Sequence, residues 1–182
     1  MAALRPGYIA EHKPRSPFGW VGPDIPVEDF IGLHTDAGAY AVHVQEPWGG
    51  SWDTLARARA VTDKSVLVKG VLSEREVGRV VASGAVALLI EGQNDHLPVR
   101  LPVIEVTTPE ALGRALQREP AWIVVNARDI DTGEMHPERH DEMRSLIPEG
   151  VGAIAASGLV EPRADYDLSL IGTALMEACG VA

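Results

Sequence analysis

With a single cysteine, Cys179, among 182 residues, the chain can build no internal disulfide framework, and no Cys or His cluster beside it spaces like a zinc site. No apolar run approaches the ~20 residues a membrane helix needs. The opening MAALRPGYIAEHK also lacks the apolar stretch of a secretory signal. The expectation is a cytoplasmic protein with no membrane partner. Basic residues are scarce: 16 Lys and Arg against 26 Asp and Glu leave a formal net charge of −10, a field that repels phosphate backbones and argues against nucleic acid. A small anionic ligand remains open, because helix amino termini and one or two lysines bind phosphate locally whatever the global charge. Low-complexity stretches and linkers are missing too. A 46% hydrophobic content supports one core, so residues 1–182 read as a single domain.

What is present is alternation. Short β-rich apolar runs at 8–13, 39–45, 65–69, 86–91, 101–106, 121–126, 151–156 and 167–172 are interleaved with helical patterns at 27–37, 52–61, 73–83, 108–117, 138–146 and 173–179. Helix starts are expected at Ser51, Ser73 and Thr107 or Thr108. Strict strand–helix alternation is the sign of βα units around a parallel sheet, and eight strands favour closure into a compact (β/α)8 TIM barrel over an open doubly wound sheet. Residues 92–100 and 159–166 are shorter than the roughly 10–12 residues a full crossover with its helix requires. Eight extended residues still reach ~26 Å, enough to return along a strand. The barrel is therefore expected to lack some outer helices, leaving apolar outer faces on strands four, five, seven and eight. Such faces usually mark interfaces, so a homo-oligomer is expected.

Apolar strands recurrently finish in a polar residue. Glu11 and Lys13, two apart, share a face at the end of the first strand; Lys69 closes the third, Glu91 the fourth, Glu105 the fifth and Asn126 the sixth. In a parallel barrel these ends converge on one mouth, where active sites lie. One such residue alone is most often a solvated terminus; several at one end point to a site. Two glycine turns, Ala156-Ser157-Gly158 and Ile171-Gly172-Thr173-Ala174, follow the last strands. Glycine lets backbone N–H groups approach an anion, and phosphate sites of this fold commonly lie after strands seven and eight.

These segments resemble the indole-3-glycerol phosphate synthase family. AEHKPRSPFG at 10–19 is similar to the family's Glu-x-Lys-x-x-Ser-Pro signature, and QEPWGGSWDTL at 45–55 to its acidic, aromatic and Gly-Ser loop. VLVKG at 66–70, VIEV at 103–106, VVNARDIDT at 124–132, AASG at 155–158 and LIGTALM at 170–176 follow in the family's order. The resemblance implies a lyase that turns an arylamino deoxyribulose phosphate into an indole by cyclisation, decarboxylation and dehydration, with no cofactor and no metal. It implies Lys69 as general acid, Glu105 as acid/base partner, Lys13 as a cation for anionic groups, Glu11 as its orienting carboxylate and Asn126 as a sugar ligand. Pro17, Trp48, Leu89 and Arg128 would shape the slot for a small phosphorylated aromatic substrate, with Glu91 expected beside them as a carboxylate where the family tends to be apolar, and Ser157, Gly158, Gly172 and Thr173 would hold its phosphate. A lysine acting as an acid near neutral pH needs a lowered pKa, for which Lys13 is the expected agent.

The departures are local. Gly70 stands where the family has Asp after the strand-three lysine, and Ala156 where strand seven normally ends in a catalytic Glu; the family's leading segment, which helps cover the pocket, is expected to be absent. Glu91 or Glu46 is a candidate for the lost polar role. A repurposed enzyme with another aromatic or phosphorylated substrate, and a non-catalytic binder of a phosphorylated metabolite, are the alternatives. His12 is expected to be structural, His43 a core imidazole or a proton shuttle, and HPERHDE at 136–142 a solvated helix start without a metal.

Overall fold

The computed structural model describes residues 7–180; residues 1–6 and 181–182, ends of the expected domain and of the stretch read for a signal, lie outside the described residues. Eight parallel strands close in sequence order into a barrel. They are β1 (Gly7–His12), β2 (Ala39–His43), β3 (Val66–Lys69), β4 (Val86–Ile90), β5 (Val103–Val106), β6 (Trp122–Asn126), β7 (Gly152–Ala156) and β8 (Leu168–Ile171). Closure is made by β8 on β1, with Gly7 opposite Leu168 and Ala10 opposite Ile171. Around the barrel run α1 (Val27–Leu33), α2 (Trp52–Val61), α3 (Glu74–Ala82), α4 (Pro109–Leu116), α5 (Glu138–Arg144) and α6 (Thr173–Cys179). The expected TIM barrel with few outer helices is the observed fold.

Alternation along each strand divides the core in two. Inward residues such as Ile9, Ala41, Leu67, Leu88, Val103, Val124, Ile154 and Leu168 fill the barrel. Outward residues such as Ala10, Val42, Val68 and Leu89 on one side, and Ile104, Val125 and Ala155 on the other, pack beneath the helices. Ser51, Ser73 and Thr108 cap α2, α3 and α4 by accepting from the N–H groups of Thr54, Glu76 and Ala111, so Thr108 and not Thr107 is the start signal. Helix α1 stops at Leu33, short of the expected 37. Its last carbonyls, of Phe30 and Ile31, accept from the His34 N–H, and the Tyr40 hydroxyl donates to His34 O at 2.9 Å.

The two straps do more than cross back. In residues 92–100, Asn94 accepts from the Ile90 N–H and donates to Val71 O, while Leu97, 4% exposed, packs in the cluster that holds Ala87 and Leu89 of β4. In residues 159–166, Tyr166 packs in the cluster that holds Ala153 and Ala155, donates to His140 O at 2.7 Å, and Arg163 N–H donates to Ser169 Oγ at 2.8 Å. Burying a large apolar side chain is worth roughly 1.5–3 kcal/mol, so Leu97 and Tyr166 supply part of what a helix face would. The expectation of bare faces is thereby corrected. Ala87, Leu89, Ile104, Val106, Ala153, Ala155, Ser169 and Ile171 are all buried within one chain, which removes the ground on which an oligomer was expected. Among the described residues no helix is long and apolar enough to cross a membrane.

Candidate active site

On five of the eight strands the inward parity carries a polar residue to the mouth. Glu11 follows Ile9, His43 follows Ala41, Lys69 follows Leu67, Glu105 follows Val103 and Asn126 follows Val124. Their side chains meet. Lys69 Nζ lies 3.4 Å from Glu11 Oε1 and 3.4 Å from Glu105 Oε2, and Lys13 Nζ is 3.6 Å from Glu11 Oε2. His43 Nε2 is 3.0 Å from Glu11 Oε1. Asn126 Nδ2 donates to Glu105 Oε1 at 2.7 Å, and its Oδ1 accepts from Arg128 N–H at 2.9 Å. The expected sugar ligand is thus already committed to orienting a carboxylate.

The electrostatics follow from burial against charge. Burial alone would raise the Glu11 carboxyl, but Lys69, Lys13 and the His43 hydrogen bond outweigh it and hold the group well below the usual carboxylate range. Burial alone would lower Lys69, yet Glu105 and Glu11 overcome it and hold the ammonium above its ordinary value. The expected depression of Lys69 by Lys13 is therefore corrected: the paired carboxylates dominate, and Lys69 rests fully protonated. Burial pushes the His43 imidazole below its ordinary value against the opposing pull of Glu11.

Two adjoining cavities open here. One of about 180 Å³ places Phe18, Trp48, Leu72, Ile90 and Ile130 beside Lys69, Glu105 and Asn126. The other, of about 210 Å³, is bounded by Ser157, Gly158, Gly172 and Thr173; Glu11, Lys13, Arg128 and Ser157 line both. Ser157 (φ 70°) and Gly158 (φ 71°) are consecutive left-handed residues, and a Cβ on Gly172 would fall 2.3 Å from Glu11 Oε2, so a side chain there would displace the Glu11 carboxylate. Arg128 also reaches across the Phe18 ring at 5.8 Å and donates to Gly133 O at 2.8 Å.

Four expected site residues lie elsewhere. Leu89 is fully buried in the outer layer, because it pairs with outward Ile104, while Ile90 pairs with Glu105 and lines the cavity. Pro17 is exposed and its neighbour Phe18 forms the wall. Glu91 turns away to a bidentate pair with Arg114, with bonds of 2.6 and 2.9 Å, and Glu46 pairs at the surface with Arg15 at 2.8 Å. Neither glutamate replaces the carboxylate missing at Ala156. Ile90 was available from parity alone, since it lies two residues from inward Leu88; no local pattern marks Phe18. His12 binds Ile25 O at 2.9 Å in the outer layer, the expected structural role. His140 is not solvated as expected: it is buried and binds Ala156 O at 3.0 Å. Among the described residues no three metal-ligating side chains gather.

A closed β/α barrel with a lysine–carboxylate network at its carboxyl mouth and glycine turns after β7 and β8 defines the class, a TIM-barrel protein with buried charged groups beside a glycine-lined cavity. Comparison with known proteins narrows this. The family profile described as Indole-3-glycerol phosphate synthase matches residues 2–182, and the chain belongs to that family. Relatives bearing the name indole-3-glycerol phosphate synthase include one from Parafrankia sp. (strain EAN1pec), 31% identical over 96% of this chain and 74% of its own length. Another, from Kineococcus radiotolerans, is 30% identical over 92% and 70%, and one from Mycobacteroides abscessus is 33% identical over 87% and 66%.

Proposed function

We propose that the chain is a carbon–carbon lyase of the indole-3-glycerol phosphate synthase type acting on an arylamino deoxyribulose phosphate. The observation that carries this reading is Lys69, held protonated between two buried carboxylates, with an apolar slot on one side and a glycine-lined cradle on the other. Trp48, Phe18 and Ile90 bound the aromatic ring; Ser157, Gly158, Gly172 and Thr173 take the phosphate; Lys13 and Arg128, which line both cavities, pair with the anionic groups. As the ring carbon attacks the ketone, its oxygen gains negative charge and draws the proton from Lys69. Carbon dioxide leaves with its bonding electrons returned to the ring. The new hydroxyl departs as water on taking a second proton, while Glu105 removes one from the carbon beside nitrogen, so one proton is consumed overall.

Ala156 and Gly70 leave two positions without the carboxylates the resemblance implies, which favours a second reading: the same barrel turning over a different aromatic or phosphorylated compound. Purified protein incubated with the parent substrate separates the readings. A rise in indole fluorescence that Lys69→Met abolishes supports the first; binding followed by calorimetry without any indole signal transfers support to the second or to a non-catalytic binder.

A further inference from the structure

We propose that His43 is a positioning residue, resting on the lyase reading above, that fixes Glu11 in register between Lys13 and Lys69. Of three buried histidines, His12 points outward from β1 and His140 reaches from α5 to the outside of β7, and both bind backbone carbonyls. His43 alone of these faces the mouth, and its one hydrogen bond goes to a charged side chain, Glu11 Oε1. The ring lies nearly parallel to Trp48, with centroids 4.8 Å apart and planes inclined by 14°. Nδ1 is buried without a partner, so no second polar bond competes for the ring's orientation.

The consequence falls on Glu11. One oxygen receives His43 and faces Lys69, and the other faces Lys13. A carboxylate between two ammonium groups with no third partner is free to rotate and settle on either. A directional N–H bond from a stacked ring removes that freedom, assigning each oxygen to one lysine. The charged groups facing His43 are Glu11 from β1, Lys13 just past its end and Lys69 from β3; no acid lies on its own strand. A neutral ring donating to a carboxylate must carry its proton on Nε2, leaving Nδ1 as an unused lone pair.

Two measurements test this. Nitrogen-15 NMR of the wild-type imidazole is expected to give the Nε2–H tautomer for His43; the Nδ1–H tautomer overturns the proposal whether or not the protein turns over any substrate. In kinetics, His43→Gln carries an amide nitrogen to the place of Nε2, whereas His43→Asn reaches only the place of Nδ1 and His43→Leu donates nothing. Misplacing a reacting group by about 1 Å costs on the order of 100-fold in rate. Accordingly, the Asn and Leu variants are expected to lose about 10- to 100-fold in kcat with KM little changed, and the Gln variant to recover most of it. Equal losses in all three, or wild-type kcat in His43→Leu, sink the proposal. Absence of turnover in the wild type would fail the lyase reading, and the tautomer would still decide the role of His43.

Discussion

Replacing Lys69 by Met keeps the length and apolar stem of the side chain and deletes only its charge. Two ion pairs at 3.4 Å are lost, to Glu11 and to Glu105. At an effective dielectric of ~20 each pair carries about 5 kcal/mol of Coulomb attraction. Relief of the ammonium's own desolvation offsets much of that, and removing one partner of a buried pair typically costs about 3–5 kcal/mol net. For a chain of this size each kcal/mol lowers Tm by about 2–4 °C, so Lys69→Met should melt roughly 6–20 °C below the wild type at pH 7. The sign of the pH dependence is fixed as well. In the wild type the Glu11 carboxyl sits well below its ordinary value, so its contribution is present above the unfolded pKa and is lost as pH falls below it. In the variant the same carboxyl moves upward, and protonation relieves it. The gap between the two proteins should therefore narrow from pH 7 to pH 4. Circular dichroism melts at both pH values check this. A shift below ~2 °C at pH 7, or a gap that widens in acid, refutes the charge network as described.

Burial holds His12, His43 and His140 below their ordinary pKa; above pH ~6.5 they contribute nothing to pH dependence, and below it the unfolded chain binds protons that the folded one refuses. Urea unfolding should lose up to ~1.4 kcal/mol per pH unit for each histidine as pH falls from 6.5 towards their folded values, and a flat profile between pH 6.5 and 5 contradicts their burial. Glu91→Gln weakens only the pair between the half-buried Glu91 and exposed Arg114, so turnover should be unchanged and stability should drop by about 1–3 kcal/mol; a large kinetic effect would return Glu91 to the site. Thr108→Ala deletes the cap on α4 and should cost ~1 kcal/mol in denaturant titration, whereas Thr107→Ala should cost little.

Much of the barrel was legible locally. Each strand began and ended within two residues of its apolar run, because β-rich segments of that length punctuated by capping residues have few other solutions. Glu11, Lys13, Lys69, Glu105 and Asn126 were legible for the same reason: each ends such a run on the inward parity. Leu89 and Pro17 failed by one position each, since a single residue's slip in a strand or tight loop exchanges the cavity for the outer layer or for solvent. The straps were misjudged because their cover depends on Leu97 and Tyr166 folding back over β4 and β7, contacts no window of sequence contains.

The linear order of residues determined the closed βα architecture, the ring of polar strand ends and the glycine turns, since periodicity, chain length and backbone chirality act locally. Only the tertiary structure decided that Lys69 is held charged by two carboxylates instead of being lowered by Lys13, that Glu91 faces Arg114, and that His43 meets Glu11. Those outcomes depend on distances of 3–4 Å between groups brought together by barrel closure, and electrostatic energy at that range is set by separation and burial, which the order of residues does not state.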